Sequence, residues 1–382
     1  MNSQQPCLVC NSMKLDEVQG PALSGVTSDC KPWPLAGEFL CCARCGHVQK
    51  RLDAQWQEDI ARIYAAYEMY SLSGGHEQIA FSQTVPTPRT TILIERLAGL
   101  GILPRSGCLL DIGCGNGAFM RSFNGSFPHW RLSGHEYNEL RREEVLNLPG
   151  VSDFHSGPLQ TGIGQYDMVS MIYVVEHLPN LAEVMSTIRQ LLVPGGLFFV
   201  HTSHYETNPF DLTVRDHCSH FRPDTLALVG HTAGFTPVVD GSSWIAKEIG
   251  MLFRAGQSEQ AISFTAPSGS LCGQQLLGNL RWLAGLAADA HRAAKGGLGV
   301  FGTAIAGTWL ANELGDAATF FVDEDESRQG KLHLGRPVLA PAQLSPSMPV
   351  YLPFPMGLAE RLHARLSRSL QEIRFLLPPR GI

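Results

Sequence analysis

Short apolar runs alternate, through the middle of the chain, with segments whose apolar residues recur at spacings of three and four. Cys108 to Leu110 leads into Asp111-Ile112-Gly113-Cys114-Gly115-Asn116-Gly117, and apolar residues resume at Ala118-Phe119-Met120. An apolar run that ends in an acid and a glycine cluster predicts a buried parallel strand, a tight turn and a helix N-terminus. Trp130 to Glu136 predicts a second strand, again ending in an acid, and Glu139 to Leu148 a charged helix. Val151 to Leu159 predicts the next strand and its loop, Tyr166 to Tyr173 a fourth strand, and Leu191 to Val200 a turn with a fifth. Leu226, Leu228 and Val229 fall on a helix, Gly234 to Val239 on a sixth strand, and Trp244 to Phe253 on the last. Strands alternating with helices in this way predict an α/β fold, a doubly wound Rossmann-like sheet.

The flanks read differently. From Asp53 to Arg96 the pattern is helical, with Ile60, Ile63, Tyr64 and Tyr67 on one face, where Tyr64 is expected to pack against the next domain. Tyr70, beside a Ser/Gly-rich break, is expected to line a substrate cleft. Beyond Arg254, residues 256–273 read as a small, polar linker and Leu276 to Ala294 as an alanine- and leucine-rich helix. Leu298 to Gly307, then Ala318 to Asp323 and Val350 to Pro353, predict a second, smaller Rossmann-like α/β unit, with a helix N-terminus free to face an anion. Leu358 to Leu377 predicts a closing amphipathic helix.

Composition sharpens this outline. With 382 residues and 44% apolar content, two or three domains with sizeable cores are expected. The formal charge of −6 and the lack of a basic run argue against a nucleic-acid partner. No apolar stretch reaches about eighteen residues and the first five residues are polar, so neither a membrane span nor a signal peptide is expected, and the cytoplasm is the expected location. Ten cysteines in such a compartment read as ligands or core residues. Cys7-x-x-Cys10 and Cys42-x-x-Cys45, about thirty residues apart, offer four thiolates in a segment with little core of its own, which suits one structural zinc ion. Cys30 and Cys41 are left as spare thiols. The expected units are residues 1–55 (zinc module), 56–255 and 256–382.

The central glycine loop lacks the Gly-Lys-Ser/Thr ending of a triphosphate site, and Asp111 in the turn suits a cationic group better than a pyrophosphate. Glu136 stands at the spacing of a ribose-binding carboxylate. The stretch resembles the first motif of the class I S-adenosylmethionine-dependent methyltransferases. Val174-Val175-Glu176-His177-Leu178-Pro179 and Val193-Pro194-Gly195-Gly196 match that family at the right distances, while Gly157-Pro158-Leu159 stands where many members hold an acid against the adenine. The resemblance implies a cofactor site built from Asp111, Gly113, Cys114, Gly115, Asn116, Gly117, Glu136, Tyr137, Gly157, Leu159, Ile172, Tyr173 and His177. After it come His201, His204, His217 and His220, with Asp211 and Asp216 among them, read as an active-site lid rather than a metal site. Within it Asp216-His217 is read as a carboxylate–imidazole pair suited to proton abstraction.

The whole order, a four-cysteine module, a class I methyltransferase unit and a small α/β unit, resembles the three-domain sugar C-methyltransferases. Those enzymes methylate a carbon beside a ketone in nucleotide-linked deoxysugars. Their Tyr-His-Glu-His run corresponds here to Val214-Arg215-Asp216-His217, in which the histidine is kept and the acid is an aspartate. The resemblance implies His217 as base, with Asp216, His177 and Tyr70 in the catalytic set, and a small nucleotide-linked sugar as acceptor, with no membrane partner. O- or N-methylation of a sugar or natural product is the alternative chemistry, and a non-catalytic binding module the alternative class. A monomer or weak homodimer is expected.

Overall fold

The computed structural model describes residues 5–68, 79–80, 87–256 and 269–381. Its centre is a seven-stranded sheet. In chain order the strands are β1 (Cys108–Ile112), β2 (Arg131–Glu136), β3 (Val151–Ser156), β4 (Tyr166–Ile172), β5 (Leu192–Ser203), β6 (Phe235–Asp240) and β7 (Glu248–Ala255). Their spatial order is β3-β2-β1-β4-β5-β7-β6, and β7 alone runs against its neighbours. Such a sheet is buried on both faces, which is why β1 and β4 are mostly apolar, with Leu109, Leu110, Met168, Val169 and Met171 fully buried. On one face lie the helices Leu181–Leu191 and Pro223–Thr232; the first buries Leu181, Val184, Met185, Ile188 and Leu191, the three-and-four spacing that marks a helix stripe. The other face is covered by Arg89–Gly99 and Ala118–Ser126.

The cysteine-bearing segment forms an antiparallel sheet of Leu15–Glu17, Phe39–Cys42 and Val48–Lys50. A fourth strand, Ser219–His220, comes from the histidine-rich segment and pairs with Val48–Lys50. The C-terminal unit is a six-stranded sheet centred on Leu298–Phe301 and Ala318–Val322, which are parallel. Its inner face shares one core with the N-terminal sheet. Phe39 and Val48, then Tyr205, Phe210 and Val214, then Leu283, Trp309 and Tyr351 are buried together.

Several boundaries differ from the sequence reading. The charged helix shrinks to Arg142–Leu146. Trp244 sits in a turn closed by its amide on the Gly241 carbonyl (2.9 Å), so β7 starts only at Glu248. The long helix begins at Gly269, inside the stretch read as linker, and runs to Ala293. The last helix stops at Ser369, and Phe375–Leu376 leaves it to pair with Val350–Tyr351. A two-residue edge strand carries no periodicity, so it reads as helix from sequence. No helix among the described residues is long and apolar enough to cross a membrane.

Candidate functional site

The glycine loop lies beyond the carboxyl ends of β1 and β2, the crevice where open α/β sheets bind ligands. Gly113, Gly115 and Gly117 have φ of +67°, +54° and +74°, the left-handed region that side chains resist. A Cβ on Gly113 would lie 2.3 Å from Val174 Cγ2, so the β1 loop and the segment after β4 are pressed together at this glycine. Glu136 reaches back across the crevice. Its Oε1 accepts from the Gly115 amide (2.8 Å) and its Oε2 from the Tyr137 amide (3.2 Å). The amide of Gly157 meets the Glu136 carbonyl (3.1 Å), which brings the β3 loop to the same rim.

Asp111 is 2% exposed, and its Oδ1 accepts from Ser170 Oγ at 2.7 Å. Burial pushes its pKa up to about 7, against the pull of the Ser170 hydrogen bond, and the charge of Glu136 adds to the rise. A buried carboxylate in this condition fits a cationic partner, as the amino group of S-adenosylmethionine would be. Asp111, the three glycines, Glu136 and Gly157 are thus gathered at one rim. Ile172 and Tyr173 end β4; Tyr173 has φ +56° and Arg89 stacks on its ring at 4.5 Å, held there by Glu248. Tyr137 is 76% exposed, and Leu159 packs under the sheet beside the Leu181–Leu191 helix.

The turn that starts with Val174 carries Glu176 and His177 from the glycine loop into a buried polar nest. Here the pairing differs from the sequence reading. His217 does not pair with Asp216; its Nδ1 meets Asp211 Oδ1 at 2.8 Å, and the other oxygen of Asp211 meets His220 Nδ1 at 2.6 Å. The short helix Pro209–Thr213 delivers Asp211, and the turn at Arg215 and Asp216 sends consecutive side chains apart. Asp216 accepts instead from the amide (2.9 Å) and hydroxyl of Ser28, and approaches His177 Nδ1 at 3.5 Å. His177 stands edge-on to His217 with ring centroids 4.7 Å apart.

Charges in this nest are strongly displaced. Burial alone would raise the Asp211 pKa, but the His217 and His220 imidazoles hold it far below the usual carboxylate range. Burial disfavours His217 as a cation, yet the facing Asp211 carboxylate outweighs it and the imidazole becomes more basic than usual. His177 goes the other way, down to about 4, through burial and the neighbouring His217. Burial pushes Glu176 up to about 7.

The segment read as a lid is no lid. Tyr205, Phe210, Leu212, Val214, Cys218 and Phe221 are all at most 2% exposed, because it threads between the N-terminal sheet and the long C-terminal helix. His201 faces Glu248 (3.4 Å) and His204 faces Glu206 (3.7 Å), away from the nest. Val214 is core, and Arg215 is committed to a buried ion pair with Asp59 (2.9 Å). Tyr64, read as packing, is 45% exposed and brings its hydroxyl to His177 Nδ1 at 3.3 Å. Tyr70 lies outside the described residues. Lys50, unmarked by any motif, is fully buried with its ammonium on the Val214 carbonyl, and burial lowers its pKa to about 7.

Cys7, Cys10, Cys42 and Cys45 come together with all four sulfurs within 4.8 Å of one another. Cys7 and Cys45 Sγ are 3.7 Å apart, Cys10 and Cys42 Sγ 3.6 Å, close to the roughly 3.8 Å between thiolates around tetrahedral zinc. Cys41 turns to the Gly269 carbonyl (3.4 Å), and neither it nor Cys30 joins the set.

Residues 89–239 match a family model described as a methyltransferase domain. Over 119 residues the chain is 30% identical to a sterol 4-C-methyltransferase of Caenorhabditis elegans, covering 28% of this chain and 34% of that protein. It is 25% identical over 163 residues to a ubiquinone biosynthesis O-methyltransferase of Aromatoleum aromaticum, covering 37% and 67%. Against the enzyme of the same description from Yersinia pestis it is 30% identical over 124 residues, covering 30% and 51%. The chain therefore spans between about a third and two thirds of the length of these relatives. Match, strand order and glycine loop agree: residues 89–239 are similar to methyltransferase domains and have the sheet and loop of the class I S-adenosylmethionine-dependent fold.

Proposed function

We propose that the chain transfers a methyl group from S-adenosylmethionine to a carbon of a small acceptor, a keto-deoxysugar carried on a nucleotide. The observation that carries this reading is the Asp211–His217 pair: a buried imidazole made more basic by a carboxylate, in the nest reached directly from the glycine loop. When bound, the cofactor supplies an electrophilic methyl group; a carbon acceptor becomes nucleophilic only after losing a proton. His217 Nε2 would take that proton and Asp211 would fix the ring through Nδ1, leaving the acceptor carbon as the nucleophile for the methyl group that the sulfonium would give up, with S-adenosylhomocysteine as the leaving group. Asp111 and Glu136 hold the amino and ribose ends of the cofactor. Cys7, Cys10, Cys42 and Cys45 hold one zinc ion, whose four thiolates leave no open position, so its role is structural.

The sugar acceptor rests on the resemblance in domain order and on the retained Asp216-His217. Methylation of an oxygen, as in the name of the ubiquinone relatives, is the second reading, favoured by Val214 and Arg215 having left the nest. Carbon-13 NMR of the product from labelled cofactor separates the two, because a methyl on carbon resonates far upfield of one on oxygen. The test of the base is His217→Ala, which is expected to keep cofactor affinity and lose most turnover. Near-wild-type turnover would refute the assignment.

A further inference from the structure

A second cluster able to take a metal lies in the nest itself. Glu176, His177 and His217 each offer one ligand atom, all within 4.8 Å of one another. Three features make it more than a coincidence of polar groups. Glu176 is 1% exposed, and neither carboxylate oxygen has a well-formed hydrogen bond among the described residues, although the Thr202 hydroxyl and its own amide lie near. An orphaned buried carboxylate is costly, and a cation is the partner that removes the cost. Both imidazoles are already held from behind: His217 Nδ1 by Asp211 (2.8 Å), and His177 Nδ1 by the Asp216 carbonyl (3.0 Å) and the Tyr64 hydroxyl (3.3 Å). That leaves Nε2 of each ring for a ligand, the arrangement by which carboxylates and carbonyls orient metal-binding histidines.

We propose that Glu176, His177 and His217 bind a divalent transition cation of the zinc, cobalt or nickel class, in addition to the ion of the cysteine module. Two imidazoles and one carboxylate suit these ions better than magnesium or calcium, which favour oxygen. Ligand atoms around such an ion stand roughly 3.3 Å apart, and the three ligand atoms already lie within 4.8 Å of one another. Three protein ligands leave at least one coordination position open. The cation takes the nitrogen that would accept the acceptor's proton, so metal loading and proton abstraction by His217 exclude each other. Binding does not depend on the proposed reaction; only its inhibitory consequence rests on that reading.

The test uses the full chain carrying its cysteine-bound zinc, without cofactor or acceptor. Calorimetric titration with Zn2+ is expected to give one further equivalent in the wild type and none in Glu176→Gln, with the cysteine-bound zinc retained in both. Added Zn2+ should raise the melting temperature of the wild type and not of the variant, which also checks that the variant is folded. No further equivalent in the wild type overturns the proposal, and so does a further equivalent that survives in Glu176→Gln. Turnover then sorts the consequence. A fall of more than tenfold as the site fills supports exclusion, whereas a rise would leave the metal site standing and remove His217 as base.

Discussion

Replacing Asp211 by asparagine should damage catalysis more than the same change at Asp216, although Asp216 is the residue beside His217 in sequence. Asp211 Oδ1 stands 2.8 Å from His217 Nδ1, whereas the Asp216 carboxylate is committed to Ser28 and reaches only the neighbouring His177. A hydrogen bond to a charged group is worth about 1.5–3 kcal/mol and a neutral one about 1 kcal/mol. Asparagine keeps an acceptor oxygen but no charge, so His217 loses about 0.5–2 kcal/mol of support for its protonated form. At about 1.36 kcal/mol per decade, that is roughly a 2- to 30-fold loss of turnover. Asp216→Asn, which keeps an acceptor for the Ser28 amide, should cost less than about threefold. The assay is methyl transfer at saturating cofactor, with S-adenosylhomocysteine affinity as the control that the glycine loop is intact. Unchanged turnover in Asp211→Asn, or a larger loss in Asp216→Asn, would refute the pairing as the source of the base.

Three further outcomes follow from the geometry. Gly113→Val, whose Cβ would meet Val174 Cγ2 at 2.3 Å on a backbone with φ +67°, should weaken S-adenosylhomocysteine binding by more than about tenfold in calorimetry, through about 1–3 kcal/mol of backbone strain. Binding within a factor of two would show that the loop does not set the site. Asp111 has its pKa raised to about 7 in the free protein, and a cationic ligand favours its charged form, so cofactor affinity should strengthen from pH 6 to pH 8 with uptake of the ligand and release of a proton. A flat profile, or one abolished neither by Asp111→Asn nor by salt, contradicts the placement of the cofactor's amino group there. Purified without chelators, the chain should carry zinc on its cysteines, and Cys42→Ser should lose that ion and lower the melting temperature by roughly 10 °C, about 3 kcal/mol for a unit of this size; an unchanged melting curve would count against a structural metal.

The glycine-loop side of the candidate site is legible in the sequence because its geometry is local. Asp111, the three glycines and Glu136 occupy a strand end, a turn and the next strand end, and their spacing survives any packing of the rest. The two Cys-x-x-Cys knuckles, which the fold brings together, are legible for the same reason. The histidine nest is not. Whether His217 pairs with Asp216 or Asp211 depends on a short helix at Pro209–Thr213 and a turn at Arg215, neither of which has an apolar period to announce it. A segment holding four histidines reads as an active-site lid, yet Tyr205, Phe210, Leu212 and Val214 bury it against the C-terminal helix. Tyr64 misled in the opposite sense: aromatic residues at helical spacing suggest packing, and only the tertiary placement of Ala54–Ala65 turns its hydroxyl to His177. Lys50 and the Asp59–Arg215 pair are long-range contacts, 164 and 156 residues apart, and leave no trace in local sequence.

The proposed methyl transfer to a nucleotide-linked acceptor is tested by thermal stability with S-adenosylhomocysteine, followed by dTDP, UDP, GDP and CDP in turn. A ligand that binds only the native state raises the melting temperature by mass action, by about 2.7 kcal/mol of stability at a hundred times its dissociation constant. A rise with the cofactor product and a further rise with one of the four nucleotides are expected. A rise with the cofactor product alone would contradict the nucleotide-linked acceptor, and no rise at all would contradict the cofactor site itself.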